Sequence, residues 1–172
     1  RTIRQITASI IRRGRRQLGF IGDITYAKTV ADRYRGFELA CAENGAVIEP
    51  RFCMTASRRG HFYFLDEVRE FIGSLTDFPE GFVCANDVIA FTVISCLNER
   101  GLSVPRDVAV SGYDNIKARI LTASELTTAS VETADLGKRL AQQLLRQLES
   151  PNECHEVVLI QPKVVYRRST EF

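Results

Sequence analysis

FVCANDVIAFTVISCLNERGLSVPRDVAVSGYDN, residues 82–115, is the stretch whose reading decides the fold. It opens on Phe82-Val83-Cys84-Ala85, an apolar run of the length of a strand buried on both faces. Asn86-Asp87 follow, residue types preferred at the start of a helix because their side-chain oxygens accept orphan backbone N–H groups. Ile89, Ala90, Val93, Ile94 and Leu97 then recur at helical spacing as far as Arg100, and Val108-Ala109-Val110-Ser111 is a second apolar run. Strand, amphipathic helix and strand in this order predict two parallel strands joined by a right-handed crossover.

The same alternation extends upstream. Ile3, Ile6, Ile10 and Ile11 lie on roughly one face of a helix over residues 2–13, which Gly14 ends. Leu18-Gly19-Phe20-Ile21 reads as a strand, residues 25–29 as a polar loop, and the segment through Gly36, Phe37, Leu39 and Ala40 to about Glu43 as a helix. Asn44-Gly45 stops it, and Ala46-Val47-Ile48 is a short strand before Pro50. Residues 51–61 are irregular and basic, and a helix resumes at about Phe64 through Leu65, Val68, Phe71, Ile72 and Leu75. The expected fold is α/β: a parallel sheet with helices on both faces.

Downstream the character changes. Residues 124–133 form an extended Thr-rich connector, and Ala134 to Leu148 is a helix with Leu136, Leu140, Leu144 and Leu148 at every fourth position. Such a stripe needs a partner. Val157 to Ile160 and Lys163 to Tyr166 supply terminal strand material.

Composition narrows the function classes. A chain of 172 residues with 45% hydrophobic side chains suits one substantial core. Lys and Arg total 23 against 21 Asp and Glu, so the net charge of +2 implies no field that would hold nucleic acid by itself. The Arg12 to Arg16 cluster is read as a solvated helix-strand junction. Five cysteines, an odd number without a CxxC pair, point to a reducing cytoplasm. No signal peptide or membrane-length apolar run is visible, and the lack of an initiating Met before Arg1 points to a piece of a longer protein. His61 and His155 are too isolated for a metal site, and no nucleophile-base order or paired carboxylates argue for an enzyme. No cofactor motif is present either.

In open parallel sheets ligands bind beyond the carboxyl ends of the strands. Here those ends carry Gly22-Asp23 with the loop leading to Arg33, then Asn86-Asp87, then Gly112-Tyr113-Asp114-Asn115. An arginine, an amide and carboxylates converging from three strand ends suit a polyhydroxylated small molecule. Plainer roles compete: Arg33 paired with Asp32 on a solvated helix start, Asn86-Asp87 as helix caps, Asp114 as a turn residue.

Ala85-Asn86-Asp87 with Ala90, then Gly101, Val104-Pro105, Asp107-Val108, Val110, Gly112-Tyr113-Asp114 and Leu126-Thr127-Thr128 resemble, in order and spacing, the lactose-repressor/galactose-repressor (LacI/GalR) family of bacterial transcriptional regulators. Arg33-x-x-Gly36-Phe37 and the closing Tyr166-Arg167-Arg168-Ser169-Thr170 fit the same pattern. Thr92 departs from it, standing where a glycine is common. The resemblance implies a type I periplasmic-binding-protein-like lobe. Residues 1–128 would form the C-terminal subdomain of an effector-binding core, 129–166 a returning segment of the N-terminal subdomain, and 167–172 a tail. It implies that Thr29, Arg33, Asn86 and Asp114 contact a small-molecule effector, a sugar or related compound, and that residues around Ala129-Ser130 form one hinge crossover. It also implies a homodimer, with the helices over 66–75 and 87–100 as a candidate contact, and operator DNA reached through a head domain absent from this sequence. The stripe over 134–148 would then dimerise, fold back on its own sheet or stay disordered. A periplasmic sugar-binding protein of the same architecture is the alternative.

Overall fold

The computed structural model describes residues 1–59, 65–116, 125–151, 154 and 156–172. The start of the helix expected at Phe64, the connector residue Ser124, and His61 and His155 lie outside the described residues. Helix α1 spans Thr2–Arg12, strand β1 Gln17–Ile21, helix α2 Lys28–Asn44 and strand β2 Val47–Ile48. After a 3-10 turn over Pro50–Phe52 come α3 (Leu65–Ser74), β3 (Gly81–Cys84), α4 (Asp87–Glu99) and β4 (Ala109–Ser111). The last third holds β5 (Thr128–Ser130), α5 (Thr133–Glu149), β6 (Lys163–Val165) and a 3-10 turn over Arg168–Thr170.

Four strands form one parallel sheet in the order β2-β1-β3-β4, the α/β arrangement expected from the sequence. The chain moves one way from β1 to β2 and the other way from β2 to β3 and β4. Right-handed crossovers therefore send α2 to one face and α3 and α4 to the opposite face. Helix α1 packs on α2, and α3 packs on α4. Phe20, Phe37, Phe52, Phe82, Ile6 and Ile10 are fully buried at the centre of the core. Burial at ~25 cal/mol per Å² of apolar surface makes this packing the main stabilising term.

Close approach fixes some small residues. A Cβ at Gly19 would overlap the Phe52 carbonyl oxygen, and one at Gly22 would overlap the Ala85 side chain. Gly14 (φ 106°) and Gly45 (φ 66°) take left-handed conformations where α1 and α2 end, which a side chain would strain. Arg16 donates to the Asn44 carbonyl at 3.2 Å, and Arg15 donates to the Arg106 carbonyl at 2.6 Å while stacking over Phe172. Half of the basic cluster is thus tied to backbone, although Arg12, Arg13 and Arg16 remain exposed. Thr92 donates to the Val88 carbonyl at 3.0 Å, so its hydroxyl is satisfied inside its own helix.

Two expectations are corrected. Helix α2 begins at Lys28, so Thr29 lies in its first turn and not in a loop. Residues 156–162 form no strand, and Val157 and Leu159 are exposed. The apolar run reads as a strand, but among the described residues nothing pairs with it.

Strand β5 belongs to two sheets. Parallel bridges join Ser111 to Thr127 and Asp114 to Ser130, continuing the main sheet beyond β4. The other edge of β5 pairs antiparallel with β6, Thr128 opposite Val165 and Ser130 opposite Lys163. The tail closes this corner: Ser169 donates to the Val110 carbonyl at 2.6 Å and accepts from the Thr127 amide at 2.8 Å. Helix α5 leaves the corner and buries none of its residues, so its stripe does not fold back on the sheet.

Candidate functional site

Chain order reverses between β1 and β3, which makes the crevice beyond their carboxyl ends the expected ligand position in such a sheet. Helix α2 enters that crevice with Arg33. Its guanidinium donates to the Ala85 carbonyl at 2.7 Å, at the end of β3. The carbon of the same group lies 3.7 Å from the centre of the Tyr113 ring, and Asp114 Oδ1 stands 3.8 Å from Nη2. One arginine is therefore held by a carbonyl, an aromatic face and a carboxylate from two strand ends. Its side chain keeps 18% of its exposure, enough to leave donors facing the crevice.

Asp114 is presented by an unusual turn. Asp114 has φ 109° and Asn115 φ 53°, left-handed values that side chains rarely adopt. Burial pushes the Asp114 carboxyl above the ordinary carboxylate range; the Arg33 charge opposes the rise and the Asp87 charge adds to it. Tyr113 is raised as well, by burial first, with Arg33 opposing.

The four residues named from the sequence fare differently. Arg33 and Asp114 meet as an ion pair. Asn86 caps α4, its Oδ1 accepting from the Ile89 amide at 2.9 Å, and is half-buried beside the Ala85 carbonyl that holds Arg33. Capping uses that oxygen and leaves the amide nitrogen available. Thr29 is exposed one helical turn before Arg33, on the same face of α2.

Three further residues of those strand ends take part through contacts that the sequence does not show. Tyr113 lies under the Arg33 guanidinium, a contact that only the fold creates. Asp23, buried at the end of β1, accepts from the Thr25 amide (2.8 Å), the Thr25 hydroxyl (2.6 Å) and the Ser57 amide (3.2 Å). Burial by itself would raise its carboxyl, but these donors hold it below the usual range. Asp87, 1% exposed, accepts from the Thr128 hydroxyl at 2.6 Å and from the Ile116 amide at 2.8 Å. Its position at the helix start is visible in the sequence, whereas its long-range partners are not. Among the described residues there is no group of three or more His, Cys, Asp or Glu side chains that would hold a metal ion. Burial raises the thiol of Cys41 to about 12 and raises Cys84 as well, so both behave as small apolar side chains.

The sequence matches the family described as periplasmic binding protein-like domain over residues 7–170. The transcriptional repressor PurR of Pasteurella multocida is 32% identical over 167 residues, covering 96% of this chain and 49% of that protein. The ribose operon repressor of Haemophilus influenzae is 27% identical over 165 residues, covering 95% of this chain and 48% of that protein. The chain thus spans about half the length of the curated relatives it matches. Among solved structures, the Escherichia coli transcriptional repressor ascG shares the fold with a TM-score of 0.80 at 21% identity, covering 98% of this chain and 60% of that one.

Proposed function

The chain belongs to the periplasmic binding protein-like domain family, and from that premise we propose that it is one lobe's share of the effector-sensing core of a LacI-type transcriptional repressor. The effector is a sugar or related polyhydroxylated molecule. The observation that carries this reading is Arg33, seated on Tyr113 between the Ala85 carbonyl and Asp114 at the mouth of the sheet. A guanidinium and a carboxylate side by side offer donors and acceptors matched to vicinal hydroxyls. Asn86 and Thr29 border the same crevice and contribute the amide and hydroxyl.

On this reading residues 1–128 form the C-terminal subdomain, and 129–166 cross to a second lobe whose remaining part precedes this sequence in the parent protein. The uncovered leucines of α5 support that assignment, because their face is built for packing. The effector sits between the lobes and binds one relative orientation better than the other; without that difference it shifts nothing. The change reaches operator DNA through a head domain carried elsewhere in the protein. The assembly is a cytoplasmic homodimer using the α3 and α4 surface. No described helix is long and apolar enough to cross a membrane.

Thermal-shift screening of sugars and purines against the full-length protein, repeated with Arg33→Ala and Asp114→Ala, tests the site. Each substitution is expected to weaken the best ligand by ~10- to 100-fold, the worth of a hydrogen bond to a charged group. Equal stabilisation of both variants and wild type would move the pocket elsewhere.

A further inference from the structure

The turn that presents Asp114 carries two consecutive non-glycine residues in left-handed conformations, and such backbone persists only where surrounding structure over-determines it. The hydrogen bonds that do so converge on one residue. The Asp87 amide donates to the Tyr113 carbonyl at 2.8 Å, just before the strained pair. The Asp87 Oδ2 accepts from the Ile116 amide at 2.8 Å, just after it. The Asp87 Oδ1 accepts from the Thr128 hydroxyl at 2.6 Å, and that hydroxyl accepts from the Asn115 amide at 3.3 Å. Gly112 supplies the space: a Cβ there would overlap Asp87 Oδ1. From the outside, Arg167 donates to Asn115 Oδ1 at 2.8 Å, and the Asn115 amide nitrogen donates to the Ser130 hydroxyl at 3.1 Å.

We propose that Asp87 is the positioning residue of the effector site, clamping the Tyr113–Ile116 turn at both ends and tying it to β5 so that Asp114 faces Arg33. This rests on the effector-pocket reading for its functional meaning. The clamp has the chemistry its task requires. A buried carboxylate is a double acceptor, and the turn and β5 present two donors. Asn86 already caps α4, and a neutral side chain at position 87 would not draw both donors with a full charge. Because Thr128 lies in the crossover strand, the same carboxylate links the pocket turn to the segment leading into α5.

The test separates geometry from charge and does not depend on knowing the effector. In Asp87→Ala, amide exchange at Ile116 and Asn115 is expected to rise at least tenfold while amides of β1 and β3 stay unchanged. Asp87→Asn keeps one acceptor and restores Ile116 protection to within threefold. In Asp87→Asn the Asp114 carboxyl, followed by carbon NMR, titrates at lower pH than wild type, because the neighbouring negative charge is gone while Arg33 still faces it. Removal of the charge alone would move it equally in Asp87→Ala; a different titration there reports a turn no longer held against Arg33. Thr128→Val, which removes one hydroxyl, is expected to speed exchange at Asn115 and spare Ile116; it decides the matter if Asp87→Ala fails to fold. Binding of D-ribose and adenine is measured in parallel, and whichever wild type binds is expected to weaken at least tenfold in Asp87→Ala. Wild-type exchange at Ile116 and Asn115 in Asp87→Ala, with an Asp114 titration matching that of Asp87→Asn, would overturn the clamp. Failure of wild type to bind either probe, with the exchange and titration changes present, would instead count against the pocket reading and leave the clamp supported.

Discussion

Helices α1 and α5 are built on the same plan, yet α1 buries Ile3, Ile6, Ile10 and Ile11 while α5 buries nothing. Each carries aliphatic side chains on one stripe and charged or amide side chains elsewhere. Helix α1 lays its stripe against α2 and the sheet, with Gly36 of α2 packed close to Arg4 and Ile3. Helix α5 leaves Leu140 and Leu148 each 68% exposed. Periodicity therefore specifies a face, and the partner must come from elsewhere in the chain or from another segment. For α1 the partner is α2, the next helix in the chain, whereas α5 meets Glu156 through Gln143 and Arg146 and no described residue buries its leucines.

Amide exchange sharpens this contrast most. In a monomeric sample the central amides of α1 are expected to exchange at least about a thousandfold more slowly than those of α5, since core helices open only with the whole fold. Equal protection of α5 would break the comparison by revealing a partner for its stripe. Mutational denaturation gives the next largest effect. Ile10→Ala is expected to cost about 3 kcal/mol through lost burial and a residual cavity, and Leu140→Ala to stay within about 0.5 kcal/mol. Helix caps follow. Asn86→Ala removes the acceptor for the Ile89 amide and is expected to cost about 1 kcal/mol in urea denaturation. Glu132→Ala at the start of α5, where no side-chain cap exists, should leave the midpoint unmoved.

The smallest effect is the pH slope of the body. The Asp23 carboxyl is held below its ordinary value by Thr25 and Ser57. Its contribution is therefore complete above the unfolded carboxylate value, near pH 4, and is lost as the pH falls through the lower folded value. Urea midpoints between about pH 2 and 6 are expected to decline at the acid end, and Asp23→Asn should flatten that decline. A steeper decline in the variant would reverse the assignment.

These contrasts follow the boundary of what the sequence reveals. The parallel sheet is legible because strands buried on both faces are short uniform apolar runs, and the helices between them carry a different period. The meeting of Arg33 and Asp114 is legible because strand order places carboxyl ends together. Tyr113 beneath Arg33 is not, since a stacking contact depends on side-chain rotamers at the end of a long-range pairing. Asp87 shows a helix-start residue in the sequence and conceals its two distant donors. Thr29 is displaced from loop to helix because Ala27, with no side-chain acceptor, gives no cap signal. Val157 to Ile160 has the residues of a strand and lacks a neighbouring edge, which no local pattern encodes.

The tail that closes the β5 corner also bears on biosynthesis. Ser169 reaches back 59 positions to Val110 and 42 to Thr127, and Arg167 reaches back 52 to Asn115. A ribosome delivers residues in order, and such distant pairings are the slowest to close. The four-stranded sheet is available to fold while residues 163–170 are still in the exit tunnel, and the corner beside the Asp114 turn waits until they emerge. A chain ending before Arg167 would carry the sheet and lack the fastening beside the Asp114 turn.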